Sequence, residues 1–191
     1  AENNMTVAQP STPASYFHLL RWHAANPARR PMVVFTPKSM LRLKAAASAL
    51  SDFTSGTFRP VISDDKVANA SRVIFCSGKI YHDLIAERDK NGENSTAIVR
   101  VEQLYPLPAA EMAAEAAKYP NASLLWVQDE PANQGAWSHI ALGTSEHFGG
   151  TGFNGRTLRR VSRLASASPA TGNHHWHEEE AKALMTEAFT R

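Results

Sequence analysis

From residue 72 onward, short apolar runs alternate with helix-like stretches, and this alternation limits the fold more than any other feature. Residues 73–76, 97–101, 124–127 and 158–161 form the apolar runs. Helix-like stretches occupy residues 80–90, 109–119 and 178–189. Strands separated by helices return by right-handed crossovers and pair in parallel. Strands that are apolar throughout suit a sheet buried on both faces. The chain is therefore read as α/β, with a mostly parallel sheet flanked by helices. Its 191 residues, 43% of them apolar, suffice for one good core or for one domain plus a piece of another.

The N-terminal part reads as a β-α-β unit. Residues 5–8 form a short strand. Ser11, Thr12 and Pro13 then supply a cap and a proline suited to a first helical turn. Tyr16, Phe17, Leu19 and Leu20 would give that helix its apolar face. Residues 32–35 read as a second strand, buried on both sides. Residues 37–70 are harder to assign and hold one Ala-rich helical stretch at residues 44–50. The expected organisation is residues 1–44 as the end of one domain, 45–70 as a connector and 71–191 as a second domain.

Several motifs need weighing. Residues 127–137, VQDEPANQGAW, follow an apolar run and read as a shaped loop at the C-terminal end of a strand, where open α/β sheets place working surfaces. Asp129, Glu130, Asn133 and Gln134 are its candidate contact residues. Gly150–Gly155 matches the dinucleotide fingerprint letter for letter, but that motif requires a strand before it and a helix after it. Here a strand follows, so a flexible surface loop is the favoured reading. His174, His175, His177 and the acids 178–180 suggest a metal. However, adjacent histidines point apart, and acids also suit the first turn of a final helix. Cys76, Ser77, Gly78 and Lys79 sit at a strand-to-helix turn. They read as a buried cysteine, a capping serine and a glycine allowing close packing, with Lys79 at most a weak anion contact.

Arg21, Arg29, Arg30, Lys38, Arg42 and Lys44 bunch around the end of the β-α-β unit. A charge run is usually a solvated face. The sharper reading is a polyanion site, since arginine forks suit phosphate oxygens. The remaining totals are mostly exclusions. With 20 basic against 18 acidic residues, nothing points to nucleic acid. No apolar run approaches the ~18 residues of a membrane helix. The N-terminal residues lack the pattern of a signal peptide. A single cysteine cannot form an internal disulfide and fits a reducing compartment, so the expected location is cytoplasmic.

Residues 33–42 (VVFTPKSMLR), 77–84 (SGKIYHDL), 97–108 (AIVRVEQLYPLP), 127–137 and 165–172 (ASASPATG) together resemble one family over nearly the whole chain. It is the C-terminal region of the thiamine diphosphate-dependent first component of 2-oxoglutarate dehydrogenase, with actinobacterial multifunctional enzymes nearest. The resemblance implies a transketolase-type C-terminal domain, preceded by the last β-α-β of a pyrimidine-binding domain. The implied parent reaction is oxidative decarboxylation of 2-oxoglutarate with succinyl transfer to a lipoyl group. Thiamine diphosphate and magnesium would be held upstream, because the G-D-G…N motif is absent here. The chain would then be a fragment, inactive alone, that braces a homodimer. Its partners would be the rest of the same polypeptide and a lipoyl-bearing succinyltransferase.

Actinobacterial relatives also carry a regulatory acetyl-CoA site, for which Arg21, Arg30, Lys38 and Arg42 are the candidates. Where relatives commonly read Leu-Leu-Arg-Arg, this chain has Trp22, whose indole can stack on adenine. The competing reading is a stand-alone α/β regulatory module that binds a polyanionic ligand.

Overall fold

The computed structural model describes residues 2–150 and 152–190. Four parallel strands form its centre: β4 (Arg72–Cys76), β5 (Thr96–Val101), β7 (Ser123–Pro131) and β9 (Arg156–Arg163). Two short strands, β3 (Val61–Ile62) and β8 (Gly152–Phe153), pair antiparallel at the edges and complete the spatial order β3-β5-β4-β7-β9-β8. The mostly parallel α/β sheet read from the sequence is therefore the one that forms.

Strand periodicity explains why both faces are apolar. Alternation sends Val73, Phe75, Leu124 and Trp126 to one face, and Ile74, Cys76, Leu125 and Val127 to the other. On the first face, Met112 and Ala116 of α4 (Ala109–Ala117) and Ile140 of α5 (Trp137–Phe148) complete the core. On the second, Ile80 and Leu84 of α3 (Ile80–Asn91) and Leu184 and Ala188 of α6 (His174–Phe189) do so. A fully buried side chain of this size contributes about 1.5–3 kcal/mol. Phe75 and Trp126 at the sheet centre are both fully buried.

The N-terminal unit is β1 (Thr6–Ala8), α1 (Pro13–Ala25) and β2 (Met32–Val34), with β1 and β2 parallel. The expected cap is present: the Thr12 side chain accepts a hydrogen bond from Ser15 N. The free edge of β1 pairs antiparallel with β6 (Gln103–Tyr105), which leaves the main sheet directly after β5. Buried Glu102 reinforces this join, accepting hydrogen bonds from Ser11 N (2.8 Å) and from the hydroxyls of Ser11 (2.5 Å) and Ser15 (2.6 Å).

Several local expectations are corrected. Helix α1 buries Ala14, Ser15, His18 and Leu19, whereas Tyr16, Phe17 and Leu20 are exposed, because the stripe facing the sheet is 14-15-18-19. Strand β2 is not buried on both faces; it is an edge strand, with Val33 and Phe35 about half exposed. No helix spans residues 44–50. Two 3-10 turns, Lys38–Arg42 and Lys44–Ala46, precede α2 (Leu50–Thr54). Among the 3-10 residues only Ala46 is buried, so no apolar face anchors a longer helix.

Gly150–Gly155 is not a loose loop. Gly152 and Phe153 pair with Thr157 and Arg156, and Asn154 and Gly155 turn the hairpin with φ of 53° and 74°. Phe153 is fully buried against Phe75. A Cβ on Gly152 would lie 1.8 Å from the Arg156 carbonyl, so that glycine serves strand packing. Thr151, inside this motif, lies outside the described residues, as do Ala1 and Arg191 at the ends of the expected segments.

Candidate functional site

The order β5-β4-β7-β9 places the first crossover on one side of β4 and the later strands on the other. The carboxyl ends of β4 and β7 therefore flank a topological switch point, where open α/β sheets leave a crevice. A cleft of about 540 Å³ opens there, bounded by the turn after β4, the end of β7, the first turn of α5, and β1 and β6 of the smaller sheet.

Gln128 fixes the shape of the β7 end. Its Oε1 accepts from Trp126 Nε1 (3.0 Å) and Trp137 N (2.9 Å), and its Nε2 donates to the carbonyls of Pro131 (3.1 Å) and Gln134 (2.7 Å). One buried amide thus ties strand, loop and helix together. Gly135 closes the loop at a φ of 66°, so near that a Cβ would lie 2.9 Å from both Gln128 and Glu130.

The predicted contact residues divide by role. Asp129 accepts from Arg163 Nη2 (2.9 Å), while Arg163 Nη1 donates to Glu180 (2.8 Å). Burial of Arg163 works against its charge, yet hydrogen bonds to Glu180 and Asp129 outweigh that and raise its pKa. Asn133 exchanges hydrogen bonds with the Ser166 backbone, and Gln134 Nε2 donates to Ser166 O (3.1 Å). These three therefore hold the loop to its own chain. Glu130 stands at the cleft rim, where its carbonyl accepts from Gln128 Nε2 (3.3 Å). Loss of water on its inner side raises its pKa; its own backbone amide opposes this, and the Asp129 charge adds to it.

At the β4 end, Cys76 is buried as expected, and desolvation pushes its thiol pKa far up against the opposing charge of Arg100. Ser77 does not cap α3. The helix begins at Ile80 with no side-chain cap, and Ser77 Oγ is buried at the cleft without a partner. Gly78, at a φ of 66°, packs so closely on Gln9 that a Cβ would meet it at 2.6 Å, the expected use of that glycine. Lys79 pairs with Asp83. Sequence reasoning missed Gln9, Ser77 and His139 as cleft residues. The positive-φ glycine beside Ser77 was the available signal.

The basic candidates lie around β2. Arg21 donates to His18 Nδ1 (3.2 Å), stacks over Phe17 and lines an open depression with Trp22. Arg30 lines a separate hollow that shares Ala24 and Asn26 with the first. Lys38 and Arg42 follow Phe35, at the other end of β2. The four are therefore split between the two ends of this strand.

Helix α6 begins about one turn earlier than expected, so its histidines fall in its first turn. Asn173 caps the helix, so the acids fall in its second turn, where Glu178 and Glu179 pair with His174 (3.4 Å) and His175 (3.2 Å). Among the described residues no group of three or more His, Cys, Asp or Glu is arranged to hold a metal. No helix among them is long and apolar enough to cross a membrane.

The profile of the family described as 2-oxoglutarate dehydrogenase C-terminal matches residues 47–189. The chain belongs to that family. It is 48% identical to the 2-oxoglutarate dehydrogenase E1 component of Cupriavidus necator, over all of this chain and 20% of that protein. It is 51% identical to the E1/E2 component of Corynebacterium glutamicum, over 99% of this chain and 16% of that one. A multifunctional 2-oxoglutarate metabolism enzyme of Mycobacterium sp. (strain JLS) is 44% identical over 99% of the chain and 15% of its own length. The resemblance read from the sequence motifs is borne out. The chain spans a fifth or less of the length of these relatives.

Proposed function

We propose that this chain is the C-terminal part of a 2-oxoglutarate dehydrogenase E1 component. That enzyme would oxidatively decarboxylate 2-oxoglutarate and pass the succinyl unit to a lipoyl group on a succinyltransferase. The observation carrying this reading is the family match over residues 47–189, extended by near-complete alignment of the chain with E1 and multifunctional enzymes. When bound, thiamine diphosphate supplies the carbanion chemistry of such an enzyme. The residues present do not fit it. They carry no G-D-G…N motif, and among the described residues no group of three or more His, Cys, Asp or Glu is arranged to hold a metal, so no catalytic step is assigned to them.

The work of this chain in the whole enzyme is structural. The rigid β7–α5 connection offers a surface for the rest of the polypeptide and for a second protomer, and the exposed Val33 on edge strand β2 invites cover from the same source. The enzyme acts in the cytoplasm. Arg21, Arg30, Lys38 and Arg42 belong to an acetyl-CoA site that adjusts its rate, and the open depression beside Arg21 and Trp22 supports this part of the reading. The same depression would serve the alternative, a stand-alone module binding a polyanion.

The decisive test is an assay of the complete polypeptide carrying this sequence, with thiamine diphosphate, magnesium and 2-oxoglutarate. Carbon dioxide release by that polypeptide, with none from the 191-residue chain, is expected. Decarboxylation by the chain alone, or none by the complete polypeptide, would overturn the reading.

A further inference from the structure

The cleft at the carboxyl ends of β4 and β7 has no catalytic part in the activity proposed above, and apolar and aromatic side chains make up much of its lining. Val7 and Leu104 supply apolar surface, Phe35 and Tyr105 add two aromatic rings, and Trp126 borders the space while itself fully buried. Its volume, about 540 Å³, falls within the roughly 300–1,000 Å³ of small-molecule sites.

Of the polar groups here, the Gln9 amide and the Ser77 hydroxyl can donate or accept, while Glu130 offers a carboxylate. Ser77 Oγ is buried without a partner. A carbonyl can only accept, so His139 Nε2, 2.8 Å from the Leu104 carbonyl, donates to it. Glu130 brings a carboxylate to the rim, and among the described residues no lysine or arginine lines the space. Gln128 is saturated by its own loop and has nothing to offer a ligand. A phosphate or carboxylate entering here would meet Glu130 with no countercharge. An ammonium would find a carboxylate, a hydroxyl oxygen and aromatic faces, which attract cations.

We propose that this cleft binds an organic amine, its ammonium group at Glu130 and Ser77 and its apolar body against Phe35 and Tyr105. The amine restores a partner to a carboxylate that has lost water on its inner side. It also restores one to a buried hydroxyl that has none. The site differs in sign from the basic positions around β2, so the two would take different ligands, and this assignment stands apart from the proposed activity.

The probe is phenethylamine, titrated into the 191-residue chain by calorimetry with amide chemical shifts followed in parallel. The charge-reversed control is 3-phenylpropionate, which has a similar body. Saturable binding of the amine is expected, with shifts centred on Ser77, Trp126 and Ala136 and at least tenfold weaker binding of the acid. Glu130→Gln should weaken amine binding fivefold or more while the melting temperature holds. Ala136→Leu, which fills the cleft, should abolish binding. Equal affinity for amine and acid, shifts centred elsewhere, no saturable binding, or indifference to Glu130→Gln would each overturn the proposal.

Discussion

Gln128 illustrates how one side chain can decide the shape of a surface. It is 3% exposed, and its amide meets donors on Trp126 and Trp137 and carbonyls on Pro131 and Gln134. A buried donor left unpaired costs about 1–3 kcal/mol, while replacing only one partner of a network gains nothing in return. Gln128→Leu keeps the volume but orphans the Trp126 indole N–H and the Trp137 amide. The expected loss is therefore at least about 2 kcal/mol. It would be read as a lower urea midpoint with an unchanged slope. A change within about 0.5 kcal/mol would mean that water replaces the amide and that the loop is not held by this residue. Asp129, Asn133 and Gln134 point the same way: residues that look like contact groups in the sequence are spent on internal bonds.

Among the elements, the parallel strands and α3, α4 and α6 were legible because continuous apolar runs and helical periodicity carry their own signal. Helix α5 was not. Its buried positions are Ile140, Gly143 and Thr144, so two of three look polar or small, and Gly143 is there because Leu107 would collide with a Cβ at 2.6 Å. Strand β6 escaped notice because three residues beside two prolines show no period. The apolar face of α1 was misread because Tyr16, Phe17 and Leu20 look like core residues but remain exposed. Within the site, the loop after β7 was visible from its composition but was read too early, because β7 runs on to Pro131 and takes in Asp129 and Glu130. The cleft was not visible, since Gln9, Ser77 and His139 come from three parts of the chain far apart in sequence.

The β8–β9 hairpin was hidden by a glycine-rich string, although Asn154–Gly155 is the strongest short-range hairpin signal there. If this hairpin is part of the core, Phe153→Ala should cost about 3–5 kcal/mol, as for other buried phenylalanines. Denaturant unfolding would read that loss. Under 1 kcal/mol would restore the loose-loop reading.

At the scale of the whole molecule, the fold turns one basic cluster in sequence into two groups in space. Arg21 and Arg30 flank the end of α1 and the start of β2, while Lys38 and Arg42 lie beyond its other end. Three strand residues at roughly 3.3 Å each separate the groups by about 10 Å. A compact anion cannot reach both, whereas an extended ligand with phosphates at one end can. This gives the acetyl-CoA proposal a sharper form in the complete enzyme. A lost charge-assisted hydrogen bond is worth about 1.5–3 kcal/mol, or tenfold and upward in affinity. Arg30→Ala should therefore raise the acetyl-CoA concentration needed for half-activation by about tenfold or more, with the unactivated rate nearly unchanged. Lys38→Ala should do the same only if one ligand spans the strand. If Arg30→Ala acts and Lys38→Ala does not, the site is confined to the end near Trp22. Equal loss of basal and activated rates in Arg30→Ala would make Arg30 a structural residue. An unmutated enzyme that ignores acetyl-CoA would remove the regulatory site altogether, leaving the basic positions as a solvated face.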